Sequence, residues 1–282
     1  MQEHAPQPVA DGFRFLEAPK WRDGKLWVSD VFGETIYAVT EDGGIAHRHK
    51  LDDRPAGLGF LEDGSLIAVS MVDRKLLQIK DGDVSHYSDL SNHATGPLND
   101  FAVDDQDRIY LGNFGYDAWA GAEAVPAHLH RIDPDGTIVE IADQMEFPNG
   151  SVIINDGKTL IVNETWVGRI TAFDLSADGT LSNRRVFADM GERQPDGLCA
   201  DAEGAIWIAS YNTGEVLRVL DGGEITDRIA FDGAAISCTL GGKDGRTLFM
   251  TTYLGTDEEI GEGKEKSAIF SVRVAVPGLE YA

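Results

Sequence analysis

Six copies of one short signal divide this chain at nearly even intervals. A tight turn leads into a β-rich run in "RDGKLWVSD", "EDGSLIAVS", "DQDRIYLGN", "NDGKTLIVNE", "AEGAIWIAS" and "KDGRTLFMTT". The turn positions are Gly24, Gly64, Asp107, Gly157, Gly204 and Gly245, spaced 40, 43, 50, 47 and 41 residues apart. Self-similarity at such a period restricts a chain to repeat architectures, because each unit must bury its face against the next. Asp107 replaces glycine in one copy, and aspartate tolerates the left-handed backbone such a turn needs.

Each unit reads as four short strands. In the second unit they are "AGLGFLEDG", "SLIAVSM", "KLLQIKDG" and "DVSHYSDL", apolar or alternating runs closed by glycine or aspartate. No stretch sustains a helical period between capping signals. Four strands in about forty residues, six times over, predict an all-β chain: a six-bladed β-propeller with four antiparallel strands per blade, one domain spanning residues 1–282. The last unit ends early at "AIFSVRVAV". Its outer strand is expected from N-terminal residues near Val9–Phe15, which closes the ring and removes an exposed edge. The competing architecture is an array of two-sheet β-sandwiches.

Counting back eight residues from each turn in units two to six reaches Ala56, Asn99, Asn149, Asp196 and Ser237, at the start of the innermost strand. In unit one the nearest polar residue is Glu17, seven before Gly24. Innermost strands line the central channel, so these side chains converge near its axis. Carboxylates and amide oxygens crowded together go unsatisfied without a partner. A divalent cation supplies one, since hard cations take carboxylate, amide and water oxygens. Glu17, Asn99, Asn149 and Asp196 make the candidate four-oxygen set. The alternative is that each Asn or Asp makes only a local turn into its strand.

Composition narrows the partners. With 48 acidic and 24 basic residues the formal charge is −24, a field that repels nucleic acid and anionic membranes and favours cations. Two cysteines, Cys199 and Cys238, cannot build a disulfide framework. The stretch "MQEHAPQPVADGF" lacks the basic start and apolar core of a signal peptide, and no apolar run is long enough to span a bilayer. A cytoplasmic location is the expectation, and the oligomeric state is left open.

Taken in order, "FLEAPKW", "PLNDFAVD", "FPNGSVIINDGKTL", "QPDGLCADAEGAIW" and "CTLGGKDGRTLFMTTY" resemble the motifs of the SMP-30/gluconolactonase/LRE-like family over essentially the whole chain. The resemblance implies a six-bladed propeller with a divalent metal, calcium or zinc, in the central channel. It also implies hydrolysis of lactones or, in a related branch, of organophosphates. By motif, Glu17, Asn149 and Asp196 would be metal ligands. Asn99 would be a ligand or a close substrate contact, and Asp196 would double as general base or proton shuttle. Two positions depart from the pattern. Ala18 stands where the family often has glycine, and Pro97 stands where sugar-lactone members often carry an arginine for substrate hydroxyls. The second departure points to a less polar lactone or ester.

Loops between second and third strands overhang the same end of the channel. They offer Phe32, Met71, Phe114, Tyr116, Trp119, Trp166, Tyr211 and Tyr253. Phe114, Tyr116, Trp119, Trp166, Tyr211 and Asn99 are the candidate substrate contacts. The loop from Asn113 to His128 is the longest of its kind, and long loops in compact domains tend to be functional. It is expected to form a lid carrying Tyr116 and Trp119. The charged stretch from Thr256 to Lys266 is expected to be a solvated flap. The pairs His47/His49 and His128/His130 have the alternate spacing of zinc ligands but lie on or near outer strands, away from the channel. The cysteines are expected to be buried apolar residues. No "GxSxG" elbow is present to support serine-hydrolase chemistry.

These readings converge on a metal-dependent hydrolase that opens a small-molecule lactone or related ester. The cation would polarise the carbonyl, and Asp196 would accept a proton from water. Competing readings on the same scaffold are a phosphotriester hydrolase, a metal-dependent isomerase or hydratase, and a non-catalytic binding propeller. The Gly-His and Trp-Asp signatures of WD-type repeats are absent.

Overall fold

The second strand of every unit is the most continuously apolar, because it is covered on both faces. Leu66–Ser70, Ile109–Asn113 and Ile206–Ser210 are buried at every position, whereas the outermost strands Ile45–Lys50 and Asp83–Asp89 are almost wholly exposed. That radial gradient is what six twisted sheets packed around an axis produce. The structure, a computed structural model, describes residues 1–117 and 120–279. It contains six antiparallel sheets of four strands in simple meander order, within residues 16–50, 55–89, 98–145, 148–189, 195–230 and 234–273. The strand Gln7–Phe13 completes the sixth sheet by pairing antiparallel with Ser267–Arg273, from Gln7 opposite Ser271 to Phe13 opposite Ser267. Ring closure by an N-terminal strand is therefore observed, two residues earlier than the sequence suggested. A two-residue strand, Gln2–Glu3, adds in parallel to the outer edge of the fifth blade.

The apolar core is divided into wedges between consecutive blades. One joins Ile67, Val69 and Leu76 of blade two to Phe101, Ile109 and Leu111 of blade three. Another joins Leu16, Leu26 and Val28 of blade one to Phe249 and Ile269 of blade six, sealing the ring. Burial of such side chains contributes roughly 1.5–3 kcal/mol each. Asp107 takes φ 58°, the left-handed value its turn requires.

All six innermost strands share one irregularity. Their pairing with the second strand slips between Glu17 and Lys20, Pro55 and Leu58, Leu98 and Phe101, Pro148 and Ser151, Pro195 and Leu198, and Ala235 and Ser237. A bulge frees residues from the ladder and redirects their side chains. It falls on or beside the polar slot in each blade.

Candidate active site

The bulges bring Glu17, Asn99, Asn149 and Asp196 from four different blades to the wall of one cavity of about 300 Å³ at the upper end of the channel. Neighbouring blades fix how each presents itself. The Asn99 Nδ2 donates to the Pro148 carbonyl oxygen at 3.2 Å. A carbonyl can only accept, so the Asn99 Oδ1 is the atom left for the cavity. The Asn149 Nδ2 donates to the Thr165 Oγ1 at 3.2 Å, and that hydroxyl spends its own proton on the Pro195 carbonyl at 2.8 Å. Asn149 is oriented by the same logic. Asn163 Nδ2 donates to the backbone carbonyl of Asp196 at 2.7 Å and anchors the strand that carries it.

Asp196 is held where solvent cannot satisfy one of its oxygens, and Glu17 beside it is half-buried. The Asp196 side chain is buried, and its Oδ1 has no hydrogen-bond partner. Loss of solvent pushes its pKa up to about 8, with Asp100 adding to the rise and the Asn149 side chain pulling the other way. Glu17 is also held well above the usual carboxylate range, first by desolvation and then by Asp196 and Asp100, against a backbone N–H from Ala18. Acidic and amide oxygens with an orphaned carboxylate atom form the donor set that a hard divalent cation completes. The set is all oxygen, with none of the nitrogen or sulfur ligands of structural zinc sites.

Asp100 is a participant the sequence did not single out. It is buried, its carboxyl is pushed up by desolvation, and its charge raises both Glu17 and Asp196. Strict alternation along a strand turns residue 100 away from residue 99. The bulge after Leu98 removes that alternation. At the equivalent place Gly150 and Gly197 lie against the next blade, where a Cβ would meet Gly197 Cα at 2.8 Å and Ser237 Oγ at 1.9 Å respectively. The other two slot positions, Ala56 and Ser237, are buried outside the cavity wall.

Above the acids the wall is aromatic and aliphatic. Phe114, Trp166 and Tyr211 line the cavity as the sequence suggested, with Phe32 and Met71. Tyr116 does not line it. Its hydroxyl accepts from the Trp166 Nε1 at 2.9 Å, so it braces Trp166 from behind. Trp119 lies outside the described residues. Phe15, Phe147 and Gln194 also line the cavity, each two residues before a slot residue, where a count back along the repeat would have found them. Asp30 holds Phe15 by accepting its backbone N–H at 2.9 Å, and Glu164 holds the segment before Phe147 through the Glu146 N–H at 2.8 Å. Phe147 in turn stacks on Phe114, centroids 4.3 Å apart, and leans on Trp166 at 4.8 Å.

The expected solvated flap is partly structured and reaches the site. Thr256 caps a short helix, Asp257–Gly261, in a capping box with Glu259. Ile260 of this helix lines the cavity, and Asp257 accepts a hydrogen bond from the Tyr211 hydroxyl. The histidine pairs have other employment. His47 and His49 stack on Trp27 at 6.1 and 6.0 Å, and His128 pairs with Glu140 at 2.8 Å. His130 is buried and its pKa falls to about 4 through desolvation. Both cysteines are buried with sulfurs 3.9 Å apart, and neither lines the upper cavity.

The family model described as the SMP-30/Gluconolactonase/LRE-like region matches residues 15–253. The chain belongs to that family. The matched span leaves out both strands that zip the sixth blade shut, Gln7–Phe13 and Ser267–Arg273. Human regucalcin is 32% identical over 253 residues, covering 87% of this chain and 80% of its own. The pentonolactonase XacC of Haloferax volcanii is 28% identical, covering 91% of each chain. Among solved structures, the calcium-binding protein regucalcin from Agrobacterium tumefaciens superimposes with TM-score 0.83 over 99% of this chain and 96% of its own. At 21% identity that likeness speaks to the fold.

Proposed function

We propose that this chain is a divalent-cation-dependent hydrolase that opens a lactone or related ester. The observation that carries the reading is the single cavity in which Glu17, Asn99, Asn149 and Asp196 meet, with the Asp196 Oδ1 unpartnered. Those four residues would hold the cation, calcium in preference to zinc. When bound, it supplies Lewis-acid polarisation of the carbonyl. Asp196 accepts a proton from the attacking water and returns it to the leaving ring oxygen, so the proton count closes within one turnover. Asn99 and Asn149, their amide nitrogens fixed on the next blade, orient the reacting group. Family relatives named for lactone substrates, such as the pentonolactonase, support the reaction class.

The wall argues for the kind of lactone. Phe15, Phe32, Phe114, Phe147 and Trp166 offer apolar surface, and Pro97 stands where a hydroxyl-binding arginine would be expected. A polyhydroxylated sugar lactone would find few partners for its hydroxyls along that face. A lactone with an alkyl or aryl substituent fits better. The same wall would accept an apolar phosphotriester, which is the second reading.

The test is turnover of alkyl, aryl and sugar lactones and an aryl phosphotriester by chelator-treated protein, before and after calcium or zinc is restored, with bound metal counted. Cation-restored hydrolysis of the apolar lactones is expected. Hydrolysis of the phosphotriester alone would favour the second reading, and turnover indifferent to chelation would overturn the metal role.

A further inference from the structure

The channel continues below the acidic ring into a second chamber of about 380 Å³, lined by later residues of the innermost strands of all six blades. It shares no lining residue with the upper cavity. Its two charged lining residues, Lys20 and Arg22, are both cationic, in a protein with twice as many acids as bases. Lys20 is half-buried and makes no ion pair among the described residues. Its field is felt in the wall: burial pushes the Cys199 thiol up, and Lys20 pulls the other way.

A second, independent feature lies in the wall of the same space. Ser151 lines the chamber at 6% exposure, and its Oγ has no hydrogen-bond partner. A hydroxyl and an ammonium are both donors, the chemistry that an anionic head would meet. Apart from Thr239, the rest of the wall is mainly apolar, with Trp21, Phe60, Phe101 and Leu198. Arg22 is stacked over the Phe60 ring at 5.1 Å, which supports that aromatic wall while keeping its charge at the chamber.

We propose that this lower chamber is a binding site for a small organic carboxylate. The head sits between Lys20 and Ser151 and the apolar body lies against Phe60 and Phe101. A compact inorganic dianion would find the donors but nothing to do with the aromatic wall. A neutral isostere would find the wall but leave Lys20 uncompensated. The site does not depend on the hydrolytic reading of the upper cavity.

Calorimetric titration of the full chain with benzoate, benzyl alcohol and inorganic sulfate tests it. Benzoate is expected to bind, with benzyl alcohol and sulfate each about tenfold weaker or more, as expected when one charge-assisted contact or the aromatic contact is lost. Lys20→Met should weaken benzoate about tenfold, Ser151→Ala by about threefold, and Lys20→Arg should retain it. Asp196→Asn, at the other end of the channel, should bind benzoate like the native chain. Thermal melts establish that each variant is folded; should Lys20→Met fail to fold, the Ser151→Ala and Lys20→Arg pair carries the decision. Absence of benzoate binding overturns the proposal, as does affinity unchanged in Lys20→Met and Ser151→Ala. Loss of binding in Asp196→Asn would move the carboxylate to the upper cavity, and equal binding of sulfate would remove the organic body.

Discussion

The upper end of the channel gathers Glu17, Asn99, Asn149 and Asp196 beneath an aromatic rim, with the Asp100 carboxyl close enough to act on both acids. The lower end, built by the same six strands a few residues further on, presents Lys20, Arg22 and Ser151 among apolar side chains. The same repeated strand builds both levels, so the repeat alone is not what distinguishes them. Two local facts do. The bulge at the start of each innermost strand frees consecutive residues from the ladder and lets both Asn99 and Asp100 act on one small volume. Past the bulge regular alternation returns, and one lysine in a ring of small and apolar residues, among them Gly59, Ala102 and Val152, sets the sign of the field. The scaffold offers sites at two depths, and a few side chains decide which ion each prefers.

Removing the upper carboxylate should break that contrast most severely. Asp196→Asn keeps the shape and the hydrogen bond from Asn163 to the backbone while deleting the charge and the proton acceptor. Lactone turnover should fall by about 10²–10⁴-fold, the range a positioned acid–base group supplies. Circular dichroism and the melting temperature should show the fold intact, because the amide is close in shape to the protonated carboxyl that burial favours. Turnover within a few-fold of the native chain would dismiss Asp196 from the chemistry.

The cation should next reveal itself through pH. In metal-free protein the folded-state pKa values of Asp196, about 8, and Glu17 lie above those of the unfolded chain. The fold therefore favours their protonated forms. The stability this gives is complete below the ordinary carboxylate range and is lost as pH rises towards 8, at up to about 1.4 kcal/mol per pH unit for one such group. Melting curves of chelated protein should decline across that window. Saturating calcium should flatten the decline, since a bound cation favours the ionised pair. A parallel pair of curves with and without calcium would separate the ring from any cation.

The rim can be weakened without touching the acids. Trp166 is nearly half exposed, held by Tyr116 and by Phe147. Trp166→Ala should raise KM for an aryl lactone about tenfold, corresponding to lost burial of roughly 1.5 kcal/mol, and change kcat little. A sugar lactone, which makes less of that wall, should notice the change less. Equal effects on both would mean that Trp166 supports the loop and does not contact the substrate.

Much of this architecture was legible before any coordinates. The turn spacing carried blade number and strand count, and the short last unit implied the closing strand, because an unpaired edge is a liability that a chain can repair only from its other end. Glu17, Asn99, Asn149 and Asp196 were legible because a polar residue recurring in one slot of a repeat has no local explanation. Asp100 was not, since only the bulge gives it access. Phe15, Phe147 and Gln194 were hidden because they precede their strands and draw meaning from Asp30 and Glu164, which hold two of those segments from the end of the second strand. Ile260 was masked by the charges around it.

That last residue supports the finest prediction. The helix Asp257–Gly261 has one turn and a half, too short to persist on propensity alone, so its cap decides much of its population. Thr256→Ala deletes the hydroxyl that accepts the Glu259 N–H, a loss typically of about 1 kcal/mol. The global melting temperature should not move, because the segment opens independently of the blades. Amide exchange in residues 257–261 should accelerate about fivefold, and KM for an apolar lactone should rise by about two- to fivefold as Ile260 spends less time against the cavity, with kcat unchanged. Tyr211→Phe, which removes the hydroxyl bonded to Asp257, should reproduce the exchange effect. If exchange accelerates and KM stays fixed, the helix is a bystander and the rim of the upper site ends at Tyr211.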